Sequence, residues 1–251
     1  MSKEVDPAST SFYLRGDKDM KKKVYFAGVG CIKRTTILLD EGFKNFMCTF
    51  ASKPSKNLMN LIRSYSDTTI MLDSGAFSAW NAGKEIDINK YISFIKENDI
   101  KLYFNLDVIG DVEGTKANQK IMEDNGLAPI PVFHYGEPFE YLDWLVGQGY
   151  TYIGLGGTVG KSVKQRQAFF DEVYARHPNI DYHGLGVTAK TLVENYNWYS
   201  VDSTTWLAPF KNKAVLGMDG KSHKNEDLDS VERFYASMPY FRYLNNLDRE
   251  D

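Results

Sequence analysis

The sequence has little cysteine and no long apolar run. Its 251 residues include two cysteines, Cys31 and Cys48, and no Cys-x-x-Cys pair, which excludes a cysteine-rich zinc site and favours a reducing compartment. No apolar run approaches the roughly 20 residues of a membrane helix. The N-terminal residues 1–10 lack the apolar segment of a secretory signal. We therefore expect a cytoplasmic protein with no membrane partner, in which both cysteines are buried rather than reactive.

An excess of one charge is also lacking. The formal net charge of −3 gives no global basic signature for nucleic-acid binding, although it leaves room for a local basic patch. The hydrophobic content of 43% and the charged content of 25% are ordinary for a soluble globular protein. No repeat, low-complexity segment or linker divides the chain. We therefore expect a single domain over residues 1–251, with a polar N-terminal tail at 1–20 and a C-terminal helical extension at 207–251.

Eight apolar runs of strand length alternate with stretches of helical period. The predicted strands are 24–30, 46–50, 69–73, 101–107, 128–134, 150–155, 180–187 and 198–202. The predicted helices are 54–65, 87–98, 112–125, 137–146, 162–176, 188–196 and 226–237, and the segment 31–45 carries the weakest helical signal. This alternation predicts an α/β fold with a parallel sheet, and eight units fit a single (β/α)8 TIM-type barrel. An open doubly wound sheet is the alternative.

Three of the predicted strands end in a carboxylate: Asp73, Asp107 and Asp202. Because all strands of a barrel end at one mouth, we expect these carboxylates to lie together there. Glycines let a flat ligand approach the backbone, and a carboxylate accepts hydrogen bonds from an N–H edge or acts as nucleophile or acid. The pattern predicts a pocket for a planar polar heterocycle beside a reactive carboxylate. The other residues expected at this mouth are Ser74, Phe77, His134, Gly156, Gly157, Gly184 and Gly186.

Four segments, in the same order along the chain, resemble the tRNA-guanine transglycosylases. Asp73-Ser74-Gly75-Ala76-Phe77-Ser78 is similar to the family's Asp-Ser-Gly-Gly-Phe-Gln segment, and 156–160 to its Gly-Gly-Leu-Ala-Val-Gly loop. His183-Gly184-Leu185-Gly186-Val187 resembles its Met-Gly-Val-Gly strand, and 201–203 stands where the family has its Phe-Asp-Cys nucleophile segment. The resemblance covers residues 69–206. It is closest to the short phage-associated relatives that act on DNA, the 7-deazaguanine DNA transglycosylases.

The resemblance implies a pentosyltransferase that exchanges guanine in DNA for a 7-deazaguanine such as preQ0 or preQ1. If the chain is phage-encoded, the reaction would take place in the host cytoplasm. Asp202 would be the nucleophile that attacks C1′ and forms a covalent aspartyl–sugar intermediate. Asp73 would be the general acid/base, and Asp107 would bind the N1/N2 edge of the base.

The same resemblance implies the roles of the remaining site residues. The amides of Gly156 and Gly157 would meet the carbonyl oxygen of the base, and Phe77 would stack on its ring. His134 stands where the family has a glutamine. Ser74, Gly184 and Gly186 complete the substrate-binding set, and Lys161 is placed on a nucleic-acid rim.

The sequence also departs from the family pattern. The family's zinc site uses a Cys-x-Cys-x-x-Cys run and a later histidine after the nucleophile, whereas no cysteine follows Cys48 here, so we expect no zinc and no other cofactor. The chain also ends before the extra RNA-binding modules of some relatives, which favours DNA, or an enzyme assisted by a partner protein, over tRNA. Three alternatives stay open: a tRNA-guanine transglycosylase, a metal-dependent barrel hydrolase that uses His134, His183 and the aspartates, and a non-catalytic barrel that binds nucleic acid or a purine-like ligand.

Some of these residues also have ordinary structural interpretations. A strand-terminal aspartate often caps the next helix, and Asp111 could equally be the acid of its loop. Lone histidines in strands, such as His134 and His183, are more often hydrogen-bonded core residues than catalysts. Asp181, within a predicted strand, is expected to be structural.

The glycine-rich segment at 156–162 does not fit a phosphate-binding P-loop. Leu155 falls where that motif requires its first glycine, four residues before Gly160-Lys161. Lys161 is therefore expected to be solvated or, at the mouth, to meet a nucleic-acid phosphate. Trp198, Tyr199 and Trp206 are expected in the core.

Overall fold

A computed structural model describes residues 22–245. Its main sheet has eight parallel strands. They are β1 Lys23–Ala27, β2 Asn45–Thr49, β3 Thr69–Asp73, β4 Leu102–Tyr103, β5 Val132–His134, β6 Tyr152–Gly156, β7 Asp181–Gly184 and β8 Ser200–Ser203. The strand order β4-β3-β2-β1-β8-β7-β6-β5 pairs the first strand with the last, as a rolled sheet requires.

The sheet closes between β4 and β5 through a single bridge. Phe104 pairs with Ile130 just outside the two strands. The amide of Asn105 donates to the carbonyl of Ile130 at 2.8 Å, and the amide of Ile130 donates to Tyr103 at 2.9 Å. The predicted (β/α)8 barrel is thereby confirmed, and the open sheet is excluded by the pairing of β1 with β8 and this closure.

Helices follow the strands around the barrel. They are α1 Ile32–Asp40, α2 Lys56–Arg63, α3 Ala76–Asn81, α4 Ile88–Glu97, α5 Val112–Asp124, α6 Phe139–Gly147, α7 Val163–Arg176, α8 Lys190–Asn195, α9 Ala208–Lys211, α10 Ser230–Ala236 and α11 Met238–Leu244. A small antiparallel hairpin, β9 Ala214–Leu216 and β10 Ser222–Lys224, lies between α9 and α10. No helix within residues 22–245 is long and apolar enough to cross a bilayer.

Residues of the strands and of the Phe104–Ile130 bridge form the cluster at the centre of the barrel. Its buried members are Tyr25, Ala27, Met47, Met71, Phe104, Ile130, Val132 and Tyr152. Because successive side chains of a strand point to opposite faces, one set points into the barrel while the other set packs against the helices. The floor of the mouth is therefore a packed aromatic and aliphatic layer, as in other barrels of this kind.

Several predicted boundaries are wrong. Strand β4 stops at Tyr103, so Asp107 lies in the following loop rather than at a strand end. The helix predicted at 188–196 begins at Lys190, and Ala189 occupies its N-cap position without a side-chain hydrogen bond. Cys31 is exposed because it directly precedes α1 on the surface, whereas Cys48 is buried as predicted. Helix α3 and the hairpin are additional to the sequence-based prediction.

The C-terminal region packs onto the same core as the barrel. Asp229 caps α10 through the amides of Val231 and Glu232. The helix predicted at 226–237 is thus observed as α10, from Ser230 to Ala236, and α11 follows directly as a second helix. The ring of Phe241 in α11 lies 6.1 Å from that of Phe26 in β1. The tail predicted at 1–20 and residues 246–251 lie outside the described residues.

Candidate functional site

Three carboxylates converge at the mouth, as the strand-end pattern predicts. Asp73 is the last residue of β3, Asp202 lies in β8, and Asp107 lies in the loop after β4. The charges of Asp107 and Asp202 both act on Asp73 and disfavour its ionisation. Asp73 therefore lies within electrostatic reach of two other acids, which raise its pKa.

The pKa of Asp73 is raised into the neutral range, so that this acid can both hold and release a proton near pH 7. Burial is the largest cause, and the Asp107 charge adds to it, so the pKa of Asp73 rises to about 7 although the Gly75 amide and the Thr49 side chain oppose the shift. Gly75 has φ +78°, and a Cβ there would lie 2.5 Å from that of Ala51. Since Gly75 occupies the N-cap position of α3, Asp73 is not the cap of that helix.

Asp202 is buried, with 6% of its surface exposed, and is fixed through one oxygen. Its Oδ1 accepts a hydrogen bond from the amide of Gly186 at 2.8 Å and lies 3.3 Å from Nε2 of His183. Gly186 has φ +65°, a left-handed conformation that turns its amide toward the carboxylate. Because both donors meet Oδ1, Oδ2 is the oxygen left to face a ligand.

A second line of hydrogen bonds runs from His183 into the barrel. Nδ1 of His183 lies 2.6 Å from the hydroxyl of Ser200, which lies 2.6 Å from the hydroxyl of Tyr152. The rings of Tyr25 and Phe104 flank the imidazole. His183 is thus a hydrogen-bonded core histidine that also contacts Asp202. Neither Ser200 nor Tyr152 is predicted from the sequence, because both look like ordinary strand residues.

His134 joins two carboxylates. Its Nε2 lies 3.0 Å from Oδ2 of Asp107 and its Nδ1 lies 3.2 Å from Oε1 of Glu137, whose other oxygen accepts the His134 amide at 2.7 Å. Burial alone would lower the pKa of His134, but hydrogen bonds to Asp107 and Glu137 and their charges outweigh it and raise the pKa to about 9. Ser74 donates its hydroxyl to Oδ1 of Asp107 at 3.2 Å. We call Asp107, His134 and Glu137 the acid–histidine clamp.

Glu137 is the functional residue that sequence reasoning missed. Its spacing of three from His134 was available as a signal, but the residue also looks like the first residue of a helix. In the structure it lies in the β5–α6 turn, before Pro138 and α6. Its carboxylate closes that turn and holds the His134 ring at the same time.

The predicted glycines have different surroundings. A Cβ on Gly156 would lie 2.8 Å from the ring of His134, and one on Gly157, which has φ +70°, would lie 3.0 Å from the Tyr135 amide nitrogen. These two glycines allow the β5 and β6 loops to approach closely beside the clamp. A Cβ on Gly184 would instead lie 2.6 Å from Val187 and 3.0 Å from Trp198, so this glycine permits core packing.

A cleft of about 420 Å³ opens beside the clamp. Phe77 and Trp80 line one side, are 43% and 58% exposed, and stack with ring centroids 6.2 Å apart. Lys161 also lines the cleft, with its ammonium 4.9 Å from the centre of the Tyr135 ring. The volume falls within the range of small-molecule sites. Aromatic faces with a nearby cation suit a planar heterocycle attached to a phosphate backbone.

Other candidate residues lie outside this constellation. Asp111 caps α5 by accepting the Gly114 amide at 2.9 Å. Asp181 begins β7, which places it at the opposite end of the strand from the mouth. Trp198 and Trp206 are buried as predicted, and Tyr199 is half-buried against the central cluster. Among residues 22–245, no three histidines, cysteines or acids are arranged to hold a metal ion.

No protein-family model and no curated protein sequence matches the chain. Solved structures do match its fold. A tryptophan synthase alpha-subunit mutant (D17N) from Pyrococcus furiosus aligns with a TM-score of 0.57 at 13% identity, over 90% of this chain and 99% of that one. The carboxyl transferase domain (Y628A) of Rhizobium etli pyruvate carboxylase aligns with a TM-score of 0.55 at 10% identity, over 92% of this chain.

The chain spans about half the length of the carboxyl transferase, since the alignment covers 48% of it. Both named proteins are enzymes built on a barrel. At identities this low the likeness establishes the fold, and the chemistry has to be argued from the site itself.

Proposed function

We propose that this protein is a transglycosylase that exchanges guanine in DNA for a 7-deazaguanine base through a covalent aspartyl–sugar intermediate. The observation that carries the proposal is the contrast between two acids at one mouth. The pKa of Asp73 is raised to about 7, so that it can donate a proton near neutral pH, while Asp202 accepts hydrogen bonds from the Gly186 amide and from His183. A proton donor and a fixed carboxylate are the pair needed to break a glycosidic bond.

The first half-reaction uses both acids. Oδ2 of Asp202 attacks C1′ of the target nucleotide, the C1′–N bond breaks, and its electron pair leaves with guanine. The departing base takes the proton of Asp73, so neutral guanine is released and Asp73 becomes ionised. A carboxylate beneath C1′ stabilises the oxocarbenium-like transition state and then traps it.

The second half-reaction reverses these roles. Ionised Asp73 removes the proton from the ring nitrogen of the incoming 7-deazaguanine. That nitrogen attacks C1′, and the C1′–O bond to Asp202 breaks, which restores both acids to their starting states. No external oxidant or nucleotide is required, because one glycosidic bond is exchanged for another.

The acid–histidine clamp and the cleft account for base binding in this proposal. Asp107, whose carboxylate is paired with His134, accepts hydrogen bonds from the donor edge of a guanine-like base. The exposed ring of Phe77 is available to stack on the base. Gly157, which has no side chain, allows the base to approach the backbone. The base must leave the duplex stack to enter, and Trp80 and Lys161 at the rim suit the displaced strand.

A base-exchange assay tests the proposal. The purified protein is incubated with DNA or tRNA that carries labelled guanine, preQ0 or preQ1 is added, and release of label is followed beside D202A. Release from DNA that requires Asp202 supports the proposal, whereas release from tRNA alone reassigns the substrate. A folded protein that releases label from neither contradicts the proposal for the chain on its own. Repeating the assay with cell extract then tests for a required partner protein.

A further inference from the structure

We propose that His183, held from behind by Ser200 and Tyr152, is a positioning residue that fixes which oxygen of Asp202 attacks C1′. This inference rests on the proposed function. It makes the contact of His183 with Asp202 decisive for the attack, and it assigns a role to Ser200 and Tyr152, which lie inside the barrel and which the base-exchange steps do not otherwise use. It also explains why a histidine occupies a position where the resembling family has a methionine, which donates no hydrogen bond.

The direction of each hydrogen bond follows from its partners. An ionised carboxylate only accepts, so Nε2 of His183 carries the hydrogen that meets Oδ1 of Asp202. In the neutral imidazole Nδ1 is then an acceptor, and the Ser200 hydroxyl donates to it. The oxygen of Ser200 in turn accepts from the hydroxyl of Tyr152. When His183 is neutral, this line of hydrogen bonds favours the tautomer that carries its hydrogen on Nε2.

The surroundings keep the imidazole in that orientation. His183 and Ser200 are both fully buried, and the rings of Tyr25 and Phe104 lie 6.0 and 5.1 Å from the imidazole. Tyr152 is buried in the central cluster, so the far end of the line is anchored in the most rigid part of the barrel. The ring cannot turn without disturbing strand packing.

The Gly186 amide completes the arrangement. It meets Oδ1 of Asp202 at 2.8 Å, on the same oxygen as His183. Two donors on one oxygen fix the rotation of the carboxylate, which leaves Oδ2 directed to the ligand. A fixed approach matters because a misplacement of about 1 Å costs on the order of 100-fold in rate. His183 therefore acts through Asp202 rather than on the substrate.

Two substitutions at the same position separate this role from simple packing. H183M fills the space but removes the donor, whereas H183Q retains an N–H group at nearly the place of Nε2. We expect H183M to lower kcat by on the order of 100-fold, with KM for DNA and base unchanged. H183Q should recover most of the loss. S200A should decrease kcat by an intermediate amount. Without the Ser200 hydroxyl the tautomer of His183 is no longer fixed, although the N–H donor at Nε2 is still available.

The outcomes also distinguish this inference from the proposed function. If the wild-type protein exchanges base and D202A does not, yet H183M turns over at the wild-type rate, the positioning role is overturned and the function stands. If the wild-type protein does not exchange, crystal structures of the wild-type, H183M and H183Q proteins decide. The Asp202 carboxylate is expected to rotate away from the Gly186 amide in H183M only, and an unmoved carboxylate in H183M would overturn the inference.

Discussion

Nε2 of His134 lies 3.0 Å from Oδ2 of Asp107. The carboxylate that we propose to bind the base is therefore paired with the His134 side chain when no ligand is bound. Glu137 holds the other side of the same ring. The imidazole is therefore shared between two acids, and a substitution of Glu137 is expected to change the pairing of His134 with Asp107.

The clamp should give a pH-dependent contribution to stability. The folded-state pKa of His134 is raised to about 9, above its ordinary value of 6.5. Its contribution is therefore fully present below pH 6.5 and is lost as the pH rises through about 9. We expect E137Q to move this loss to lower pH, measured as the free energy of denaturant unfolding from about pH 6 to 10. H177Q, which removes a surface histidine paired with Asp143, is the control, and identical E137Q and wild-type curves would contradict the clamp.

D73N should be more stable than the wild-type protein at pH 8 and inactive in exchange. The pKa of Asp73 is raised from 3.8 to about 7, so its protonated form favours the folded state. This contribution to the free energy of unfolding is fully present below pH 3.8 and is lost as the pH rises through about 7. Asparagine removes the ionised group, and we expect a gain of roughly 1–3 kcal/mol at pH 8. D111N, which keeps a capping side chain on α5, is the control. A D73N protein with normal exchange would show that Asp73 is not the acid.

D202N should abolish exchange while leaving the fold intact. The amide retains the shape of the carboxylate but cannot form the bond to C1′, so we expect a loss of at least about 1,000-fold in kcat. Denaturing mass spectrometry of the wild-type protein with DNA should show a covalent adduct that D202N lacks. D181N changes an acid at the other end of the neighbouring strand and should keep full activity.

F77A should weaken binding of the base. Loss of one stacking face costs about 1–3 kcal/mol, which raises KM for the free base by roughly 5- to 150-fold and leaves kcat less affected. The change is measured by steady-state exchange at varied base concentration. Y235A removes an exposed aromatic on α10 and serves as the control. A KM equal to that of the wild-type protein would remove Phe77 from the base site.

K161A should weaken DNA binding and reduce its salt dependence. A single lysine on a phosphate contributes about one unit to the slope of log K against log salt. We expect that slope to fall by about one, measured by fluorescence anisotropy with a labelled oligonucleotide and inactive D202N protein. Lys164, exposed on α7, gives the control K164A. Equal slopes for K161A and K164A would place Lys161 outside the DNA path.

The sequence predicts the barrel well because each strand run and each helical stripe is a local pattern. It also predicts that Asp73, Asp107 and Asp202 meet, since barrel closure brings strand ends together. The line through Ser200 and Tyr152 is not predictable in this way. These residues are adjacent only because β6, β7 and β8 pair in a particular register, which places Gly154 beside His183 and His183 beside Ser200. Glu137 is not predicted as a site residue for a different reason, since a glutamate before a helix has an ordinary capping role.

The single bridge between β4 and β5 has a consequence for how the barrel is held shut. Elsewhere longer ladders of backbone bonds join the strands, whereas at this seam the two backbone bonds of Asn105 and Ile130 are supplemented by side-chain hydrogen bonds that tie each edge to helix α4 or α5. The hydroxyl of Tyr91 donates to the Phe104 carbonyl at 2.8 Å, the Asn105 amide group donates to Thr115 at 3.1 Å, and that of Gln119 donates to Pro129 at 3.1 Å.

Helix α5 is therefore tied to both edges of the seam, through Asn105 on one edge and Pro129 on the other. Substituting Asn105 or Gln119 should weaken this tie, with the earliest hydrogen exchange at the backbone amides of Asn105 and Ile130. The Asp107 and His134 loops leave the barrel on either side of that seam. Local opening there would separate the two halves of the clamp before the rest of the fold is disturbed.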